Sequence, residues 1–240
     1  MEKHLLTPED DFQYFFGYYD LQPYDSSCKR HLTHRVRFCD RLPVAGDVCE
    51  LGFVENKKFY KVAETLAWNF QQGAMLRWFV PGKSVIANDF DGNKYVSRVI
   101  DINGKETERF DCPFATLSLN AGKAVSVNFS RIYDFRKGYG YCNIPDPFAD
   151  KNAPEDDGIF LVDLKTKEKT LLASYEKMRR VFEEKPFTDK KLVVNHITFN
   201  PSGTKCVFLL RNFPEGGGIW ATVLAVIDLK GEIKQLTQFS

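Results

Sequence analysis

His196 has the clearest capacity for chemistry in this sequence, because it opens a predicted hairpin with a Phe-Asn-Pro turn, residues 196–211. An imidazole titrates near neutral pH, so this side chain could act as a general base or bind a metal ion. A lone histidine also serves as a structural hydrogen-bonding group, and that alternative stays open. We take His196 as the first candidate catalytic residue.

Arg131 is the second candidate catalytic residue, at the end of a predicted strand and near a loop rich in Gly and Tyr. A guanidinium in that place could clamp a carboxylate or a phosphate with two hydrogen bonds. Asn128 and Tyr139 flank it as candidate ligand-binding residues. The long loop 133–157 could then act as a lid; the alternative is a solvated loop with a structural Arg–Asp pair.

Tyr18, Tyr19 and Asp20 form a second group of candidate ligand-binding residues. Tyrosine rings beside a carboxylate suit a sugar, whose C–H faces pack on the rings while its hydroxyls bond to the acid. The alternative is a buried aromatic strand followed by an Asp-containing turn.

Trp68, Gln71 and Gln72 form a third group, in the run Trp-Asn-Phe-Gln-Gln-Gly. Two adjacent glutamines in an apolar setting are costly to bury without partners, so they are candidates to bind a polar ligand. The alternative is a satisfied hydrogen-bond network between neighbouring sheets.

Motifs for several other chemistries are not found. The sequence has no Walker phosphate loop, no dinucleotide fingerprint, no H-E-x-x-H and no G-x-S-x-G. His31 and His34 are three residues apart in a predicted strand and would point to opposite faces, so we predict no metal site. The cofactor, if any, is unknown at this point.

Composition limits the partners and the compartment. The formal net charge is +1, from 33 basic and 32 acidic residues, which predicts no binding to nucleic acid or to an anionic membrane. No apolar run is long enough to span a bilayer, and the start lacks the features of a secretory signal. The six cysteines are scattered, so we expect reduced thiols in a cytoplasmic protein.

Two kinds of segment recur and predict the fold. A strand, a Gly-Lys or Gly-Thr-Lys turn and a second strand appear at 75–89, 114–130 and 196–211. A strand ending in hydrophobic-Asp, a polar turn and another strand appear at 97–110, 158–174 and 224–240. One copy of each makes a four-stranded antiparallel unit that must stack on neighbours to bury both faces. We therefore predict an all-β protein, a β-propeller, in preference to a β-sandwich.

The predicted propeller is one domain with about four blades. The blades are expected at 12–65, 67–110, 112–174 and 194–240. The first is a degenerate copy with strands near 15–19, 34–39, 48–54 and 59–62, and residues 175–185 are expected to form a short helix that ends at Pro186.

The repeat resembles a known superfamily. The segment HITFNPSGTKCVFLLR followed by TVLAVIDLKGEIKQLT resembles the TolB-like or WD-repeat-like propeller repeat, and 114–130 followed by 158–174 looks like a second copy. The run AWNFQQG with a later His-x-x-Phe-Asn-Pro is similar to uncharacterised bacterial propellers and, more distantly, to oligogalacturonate lyases. Those lyases hold a metal with several His and a Gln; here only His196 lies at a comparable place. The resemblance also implies six or seven blades, so four blades would be an incomplete propeller or a compact form.

Two functions remain open. The first is binding of a polar ligand, a saccharide, at the mouth of the propeller channel, with or without lyase activity, which predicts that Tyr18, Gln72, Arg131 and His196 converge in one polar pocket. The second is a non-catalytic scaffold that binds a protein partner at an open blade edge. Whether the chain is an enzyme is undecided at this point.

Overall fold

The computed structural model describes residues 4–18, 21–183, 187–214, 218 and 220–237. Over these residues the chain forms sixteen strands and two short helices. The strands make four antiparallel sheets of four strands each, and in every sheet the strands are paired in chain order. The predicted fold class is confirmed: an all-β protein, a β-propeller with four four-stranded antiparallel blades.

The first sheet is the one that the sequence marked as degenerate, and it is complete. It comprises β1 (Gln13–Phe15), β2 (His31–Val36), β3 (Cys49–Glu55) and β4 (Lys58–Thr65). Its first two strands begin two and three residues earlier than predicted. Between β3 and β4, Asn56 and Lys57 have φ of 50° and 58°, the pair of positive values that a two-residue type I′ hairpin requires.

The other three sheets follow the predicted repeat. The second comprises β5 (Arg77–Val80), β6 (Ser84–Phe90), β7 (Tyr95–Asp101) and β8 (Glu106–Phe110). The third comprises β9 (Thr116–Ser118), β10 (Lys123–Ser126), β11 (Gly158–Asp163) and β12 (Lys169–Ser174). The fourth comprises β13 (Leu192–Phe199), β14 (Lys205–Asn212), β15 (Thr222–Asp228) and β16 (Ile233–Gln235).

The recurring hydrophobic-Asp motif has a structural cause in these sheets. Asp101, Asp163 and Asp228 each end the third strand of a sheet, and one carboxylate oxygen of each accepts two backbone N–H groups of the following turn. An Asp side chain that bonds its own turn fixes the chain reversal. The motif therefore encodes the hairpin between the last two strands.

Two short helices interrupt the strands. Helix α1 (Phe129–Phe135) follows β10, and its N-terminus is capped by the Asn128 side chain. Arg131 thus lies in a helix and not at a strand end, which corrects the prediction. Helix α2 (Tyr175–Val181) is capped by Ser174 and ends four residues before the predicted end; Pro186 lies outside the described residues. None of the described helices is long and apolar enough to cross a membrane.

The chain divides into two compact units. The first unit is Met1–Pro113 with Lys137–Ile144, and the second is Phe114–Arg136 with Pro145–Ser240. Each unit therefore contains two of the four sheets. In the first unit the two sheets share a core in which Leu32, Leu51 and Leu76 are almost fully buried, with Trp78 beside them. In the second unit Val193, Phe208 and Ala225 are fully buried.

The segment 137–144, which we call the strap, belongs to the first unit although the chain on both sides of it belongs to the second. Asn69 Nδ2 donates to the Gly140 carbonyl at 2.8 Å. Asn88 Nδ2 donates to the Tyr141 hydroxyl at 2.9 Å, and Tyr141 is fully buried. These buried contacts fix the strap to the first unit, since a buried amide needs its partner.

Candidate functional site

The first unit carries an open cleft of about 580 Å³ between β4, the last strand of its first sheet, and strands β6, β7 and β8 of its second sheet. We call it the β4 cleft. Its charged lining residues are Lys61, Glu64, Asp89, Arg98 and Glu106, and apolar lining comes from Val62, Phe90 and Ile100 among others. The volume falls in the range of roughly 300–1,000 Å³ that is typical of ligand sites.

Arg98 and Asp89 line one side of this cleft. They also bond backbone groups at the end of β4, which is an edge strand of its sheet. Arg98 Nη2 donates to the Glu64 carbonyl at 2.5 Å and lies 2.8 Å from Asp89 Oδ2. Asp89 Oδ1 accepts the Leu66 N–H at 2.9 Å and the Thr65 hydroxyl at 3.0 Å. An edge strand exposes unpaired N–H and C=O groups, so this ion pair replaces part of a missing fifth strand.

The other charged side chains of the cleft, Lys61, Glu64 and Glu106, form ion pairs with neighbouring residues. Lys61 Nζ lies 2.5 Å from Glu64 Oε1 and 3.1 Å from Glu50 Oε1. Both oxygens of Glu106 accept hydrogen bonds from Arg109, at 2.8 and 3.0 Å. Burial raises the pKa of Glu50, but Arg35 and Lys61 together lower it by more. Arg109 lowers the pKa of Glu106, and Glu64 and Glu50 raise that of Lys61. The cleft is therefore a charged surface at neutral pH.

Arg98 retains bonding capacity that its partners do not use. Its Nε is buried and makes no hydrogen bond to the described residues, while its side chain is 18% exposed to solvent. A donor without a partner costs free energy unless water or a ligand supplies an acceptor. Arg98 Nε is therefore a hydrogen-bond donor beside the β4 cleft that has no acceptor among the described residues.

The predicted residues of the first unit are mostly buried. Tyr18, Trp68 and Gln72 are 5%, 2% and 4% exposed, and Trp68 Nε1 donates to the Asp47 carbonyl at 2.8 Å. Gln71 is exposed. Tyr19 and Asp20 lie outside the described residues. Three of these side chains therefore present little surface to a ligand, and their ligand-binding role stays a prediction.

Residues 66–76, which we call the Asn69 loop, position Gln71 and Gln72. Asn69 Oδ1 accepts the backbone N–H of Gln71 at 3.0 Å and that of Gln72 at 2.7 Å. Asn and Asp side chains commonly stabilise turns in this way. The Gln72 Oε1 atom is buried and has no hydrogen-bond partner among the described residues, so the predicted network is only partly satisfied.

His34 holds the same loop from β2. It is fully buried, and its Nε2 accepts the Ala74 N–H at 2.9 Å. The accepting Nε2 assigns the proton of the neutral ring to Nδ1. Burial lowers the pKa of His34 to about 4, against a smaller opposing effect of the Phe15 backbone. Gly73 lies so close that a Cβ there would be 2.4 Å from the imidazole ring.

In the second unit Arg131 is a fully buried structural clamp. Its five N–H donors meet five protein acceptors: Leu192 O at 2.6 Å, Asp146 Oδ2 at 3.0 Å, Phe148 O at 3.1 Å, Lys151 O at 2.9 Å and Asn152 O at 2.8 Å. A guanidinium has five such donors and no more. The geometry favours the alternative that the sequence left open, an Arg–Asp pair that holds the loop after α1.

Asn128 belongs to the same buried group. Its Nδ2 donates to Asp146 Oδ1 and to Asp157 Oδ2, both at 2.8 Å, and its Oδ1 caps α1. Burial raises the pKa of Asp157, although Asn128 opposes that shift. Both amide donors and the amide oxygen of Asn128 are thus committed to the protein.

His196 sits at an irregularity of β13. The pairing register with β14 shifts between Asn195 and Thr198, and His196 has a φ of 52°. Bulges and left-handed backbone at a residue other than Gly are enriched at functional sites. Burial and, to a lesser extent, the nearby Arg211 lower the pKa of His196 to about 4.

The predicted residues fall in both units. Tyr18, Gln72 and Tyr139 belong to the first unit, whereas Arg131 and His196 belong to the second. Their convergence in one polar pocket stays a prediction. Among the residues that the structure describes, no group of three or more His, Cys, Asp or Glu side chains is placed to hold a metal ion.

No family model matches the chain, and no curated protein matches its sequence. The functional assignment therefore rests on the residues and their geometry.

The sequence reasoning missed the residues of the β4 cleft. Glu64, Asp89, Arg98 and Glu106 lie on four different strands and look like ordinary solvated charges when read along the chain. One signal was present: Arg98 stands in the middle of a mainly apolar strand, between Val96-Ser97 and Val99-Ile100. A charge inside such a strand needs a specific partner, and that rule could have drawn attention to it.

Proposed function

We propose that this propeller binds a polar ligand, a saccharide, in the β4 cleft of the first unit. The observation that carries the proposal is the combination of charged and apolar walls around a cleft of about 580 Å³. Ligand sites combine apolar lining with a few placed polar groups in this manner. The residues predicted from the sequence contribute less to the proposal, because most of them are buried.

A sugar can bond to the charged side chains of the cleft and also pack against its apolar side chains. Its hydroxyl groups would donate to the carboxylates of Glu64 and Glu106 and accept from Lys61, all of which line the cleft. Its C–H faces would pack against Phe90 and Val48 on the apolar side. Such a ligand would also be able to reach the polar groups on β4 beside the Arg98–Asp89 pair.

Lyase activity is a weaker part of the proposal. Removal of the proton next to a uronate carboxylate needs a base and a cation that stabilises the enolate. The pKa of His196, about 4, keeps it unprotonated at neutral pH but makes it a weak base. The five donors of Arg131 are already used. We therefore propose binding first and treat cleavage as a separate question.

A glycan array tests the proposed binding. The wild-type chain would be applied with divalent metal ions and with chelator, together with Ala63→Trp, which fills the cleft because Ala63 is one of its lining residues. Val44→Trp is the matched control, since Val44 is 58% exposed and is not part of the lining. We expect Ala63→Trp to abolish saccharide binding and Val44→Trp to retain it. Absence of any bound glycan would contradict the proposal.

A second candidate function is the protein-interaction scaffold. Leu42, Val44 and Val48 are 48%, 58% and 47% exposed within one connection between β2 and β3. Clustered exposed apolar side chains mark interaction surfaces. Sedimentation velocity would compare the wild-type chain with Leu42→Glu and Val44→Glu combined. Self-association that the double variant removes would favour this function, and a monomer at all concentrations would count against self-association.

Two finer assignments belong to the same proposal. We place the chain near the TolB-like and WD-repeat-like propellers because its turn Asn200-Pro201-Ser202-Gly203 matches their repeat. We also propose a cytoplasmic location, in which the six cysteines, all free thiols, would stay reduced.

A further inference from the structure

We infer that the saccharide of the β4 cleft is an amino sugar, and not a uronate; this inference rests on the proposed function. The lining contains two cations, Lys61 and Arg98, and three acids, Glu64, Asp89 and Glu106, so it holds one more acid than cations. A carboxylate on the ligand would enter a cleft with an excess of acid, whereas an ammonium group would complement it.

The terminal nitrogens of the two cations of the cleft are already engaged by acids, and the unpartnered Nε of Arg98 is buried. Lys61 is bridged between Glu50 and Glu64 at 3.1 and 2.5 Å. Arg98 bonds Asp89 and the Glu64 carbonyl through Nη2, and its Nη1 lies 3.6 Å from Glu106. An incoming uronate would have to displace one of these carboxylates, which leaves a partly buried acid without its partner.

The acids differ in how much of their bonding capacity is used. Both oxygens of Asp89 accept hydrogen bonds or ion pairs from Thr65, Leu66 and Arg98. Both oxygens of Glu106 accept from Arg109.

Glu64 differs from both of them. It engages Lys61 through Oε1, while its Oε2 accepts no hydrogen bond from the described residues. Its side chain is 53% exposed. Glu64 is therefore the carboxylate in the cleft with an oxygen left for an ammonium donor, and a charge-assisted hydrogen bond of this kind is stronger than a neutral one.

The ligand must also satisfy the apolar side of the cleft. The side chains of Val48, Leu66 and Phe90 line the cleft with accessible apolar surface and offer no hydrogen bonds, so a small hydrophilic amine would leave that surface uncovered. A pyranose ring with an amino substituent presents C–H faces to this wall and places its ammonium and hydroxyl groups toward Glu64. The structure thus points to a saccharide chain that carries amino groups.

Isothermal titration calorimetry with three tetrasaccharides tests the inference. The probes are the glucosamine tetramer, the N-acetylglucosamine tetramer and the galacturonate tetramer, which carry positive, zero and negative charge. We expect the glucosamine tetramer to bind at least about tenfold more tightly than the other two at low ionic strength, which corresponds to about 1.4 kcal/mol. Binding should weaken with added salt.

Variants of Glu64 identify the residue responsible. Glu64→Gln should remove the preference for the glucosamine tetramer, and Glu64→Lys should reverse it. Glu168→Gln is the matched control, because Glu168 is an exposed acid of the second unit, and it should keep the preference unchanged. The unfolding midpoint of each variant verifies that it is folded.

The outcomes separate the inference from the proposed function. Tighter binding of the galacturonate tetramer, or equal binding of the charged and acetylated tetramers, would overturn the inference and leave saccharide binding standing. Retention of the preference in Glu64→Gln would also overturn it. Failure of all three probes, together with an empty glycan array, would overturn the proposed function itself.

Discussion

Two arginines, one in each unit, show how differently the same side chain can be used. Arg131 in the second unit is fully buried, and all five of its donors bond protein acceptors. Arg98 in the first unit is 18% exposed at the side of an open cleft, and its Nε has no partner among the described residues. A saturated guanidinium stabilises structure, whereas an unsaturated one at a cleft can contribute to binding.

The sequence alone favours Arg131 over Arg98 as the ligand-binding arginine, which is the reverse of what their hydrogen bonding indicates. Arg131 stands near a Gly/Tyr loop, which predicts a ligand clamp, whereas Arg98 stands inside a strand and carries no such signal. The difference arises because hydrogen-bond saturation depends on which distant carbonyls and carboxylates reach the side chain. Leu192 contributes to Arg131 from 61 positions away, and Glu64 contributes to Arg98 from 34 positions away.

Arg131→Met should produce the largest effect. It removes the donors that Arg131 supplies to Asp146 Oδ2 and to four backbone carbonyls inside the second unit. Removal of one partner of a buried ion pair costs about 3–5 kcal/mol. Urea denaturation would measure the free energy of unfolding. A loss below about 1 kcal/mol would show that Arg131 is not the clamp that the structure indicates, and would break the comparison.

Gly73→Ala should come next, and it tests how tightly the first unit holds its Asn69 loop. Gly73 has a φ of 60°, and a Cβ would lie 2.4 Å from the His34 ring. Left-handed strain and overpacking together cost about 2–4 kcal/mol.

Gly46→Ala is the matched control for Gly73→Ala. Gly46 has a φ of 92°, and a Cβ there would meet nothing within 4 Å. This control should cost only about 1 kcal/mol. Equal losses of unfolding free energy for the two variants would contradict the packing of the loop on His34.

Acid should weaken the first unit through His34. Its pKa in the folded protein, about 4, is below its ordinary value of 6.5, so the unfolded chain takes up a proton first as the pH falls. The stabilising contribution is complete above about pH 6.5 and is lost progressively toward pH 4. Between pH 7 and pH 4.5 we expect a loss of about 2 kcal/mol from this group.

Histidine variants distinguish the two units in the same experiment. His34→Gln should flatten the dependence of unfolding free energy on pH, since Gln does not titrate. His196→Gln in the second unit should flatten it less, because His196 is only partly buried. A profile that His34→Gln leaves unchanged would assign the acid sensitivity to other groups.

Arg98→Met should have the smallest effect on stability. It removes the ion pair with Asp89 and the bond to the Glu64 carbonyl, in a place that solvent can reach. We expect a loss of about 1 kcal/mol in unfolding free energy, because the ion pair is partly solvated. A loss of stability as large as that of Arg131→Met would show that the two arginines play the same role.

The architecture can be read from the amino-acid sequence. Alternating strands, Gly-containing turns and the repeated hydrophobic-Asp positions are local signals, and Asp101, Asp163 and Asp228 close their turns through atoms within five residues. Periodicity and turn chemistry act over short distances, so they can be read along the chain. Even the weakest copy, the first sheet, proved to have all four strands.

Which polar side chains can reach a ligand depends on how the strands pack in three dimensions. Tyr18, Trp68 and Gln72 carry the right atoms but are buried, while Glu64, Asp89 and Arg98 meet at the β4 cleft from separate strands. Burial and hydrogen-bond saturation arise when distant strands pack together, and residue types along one chain do not encode them locally.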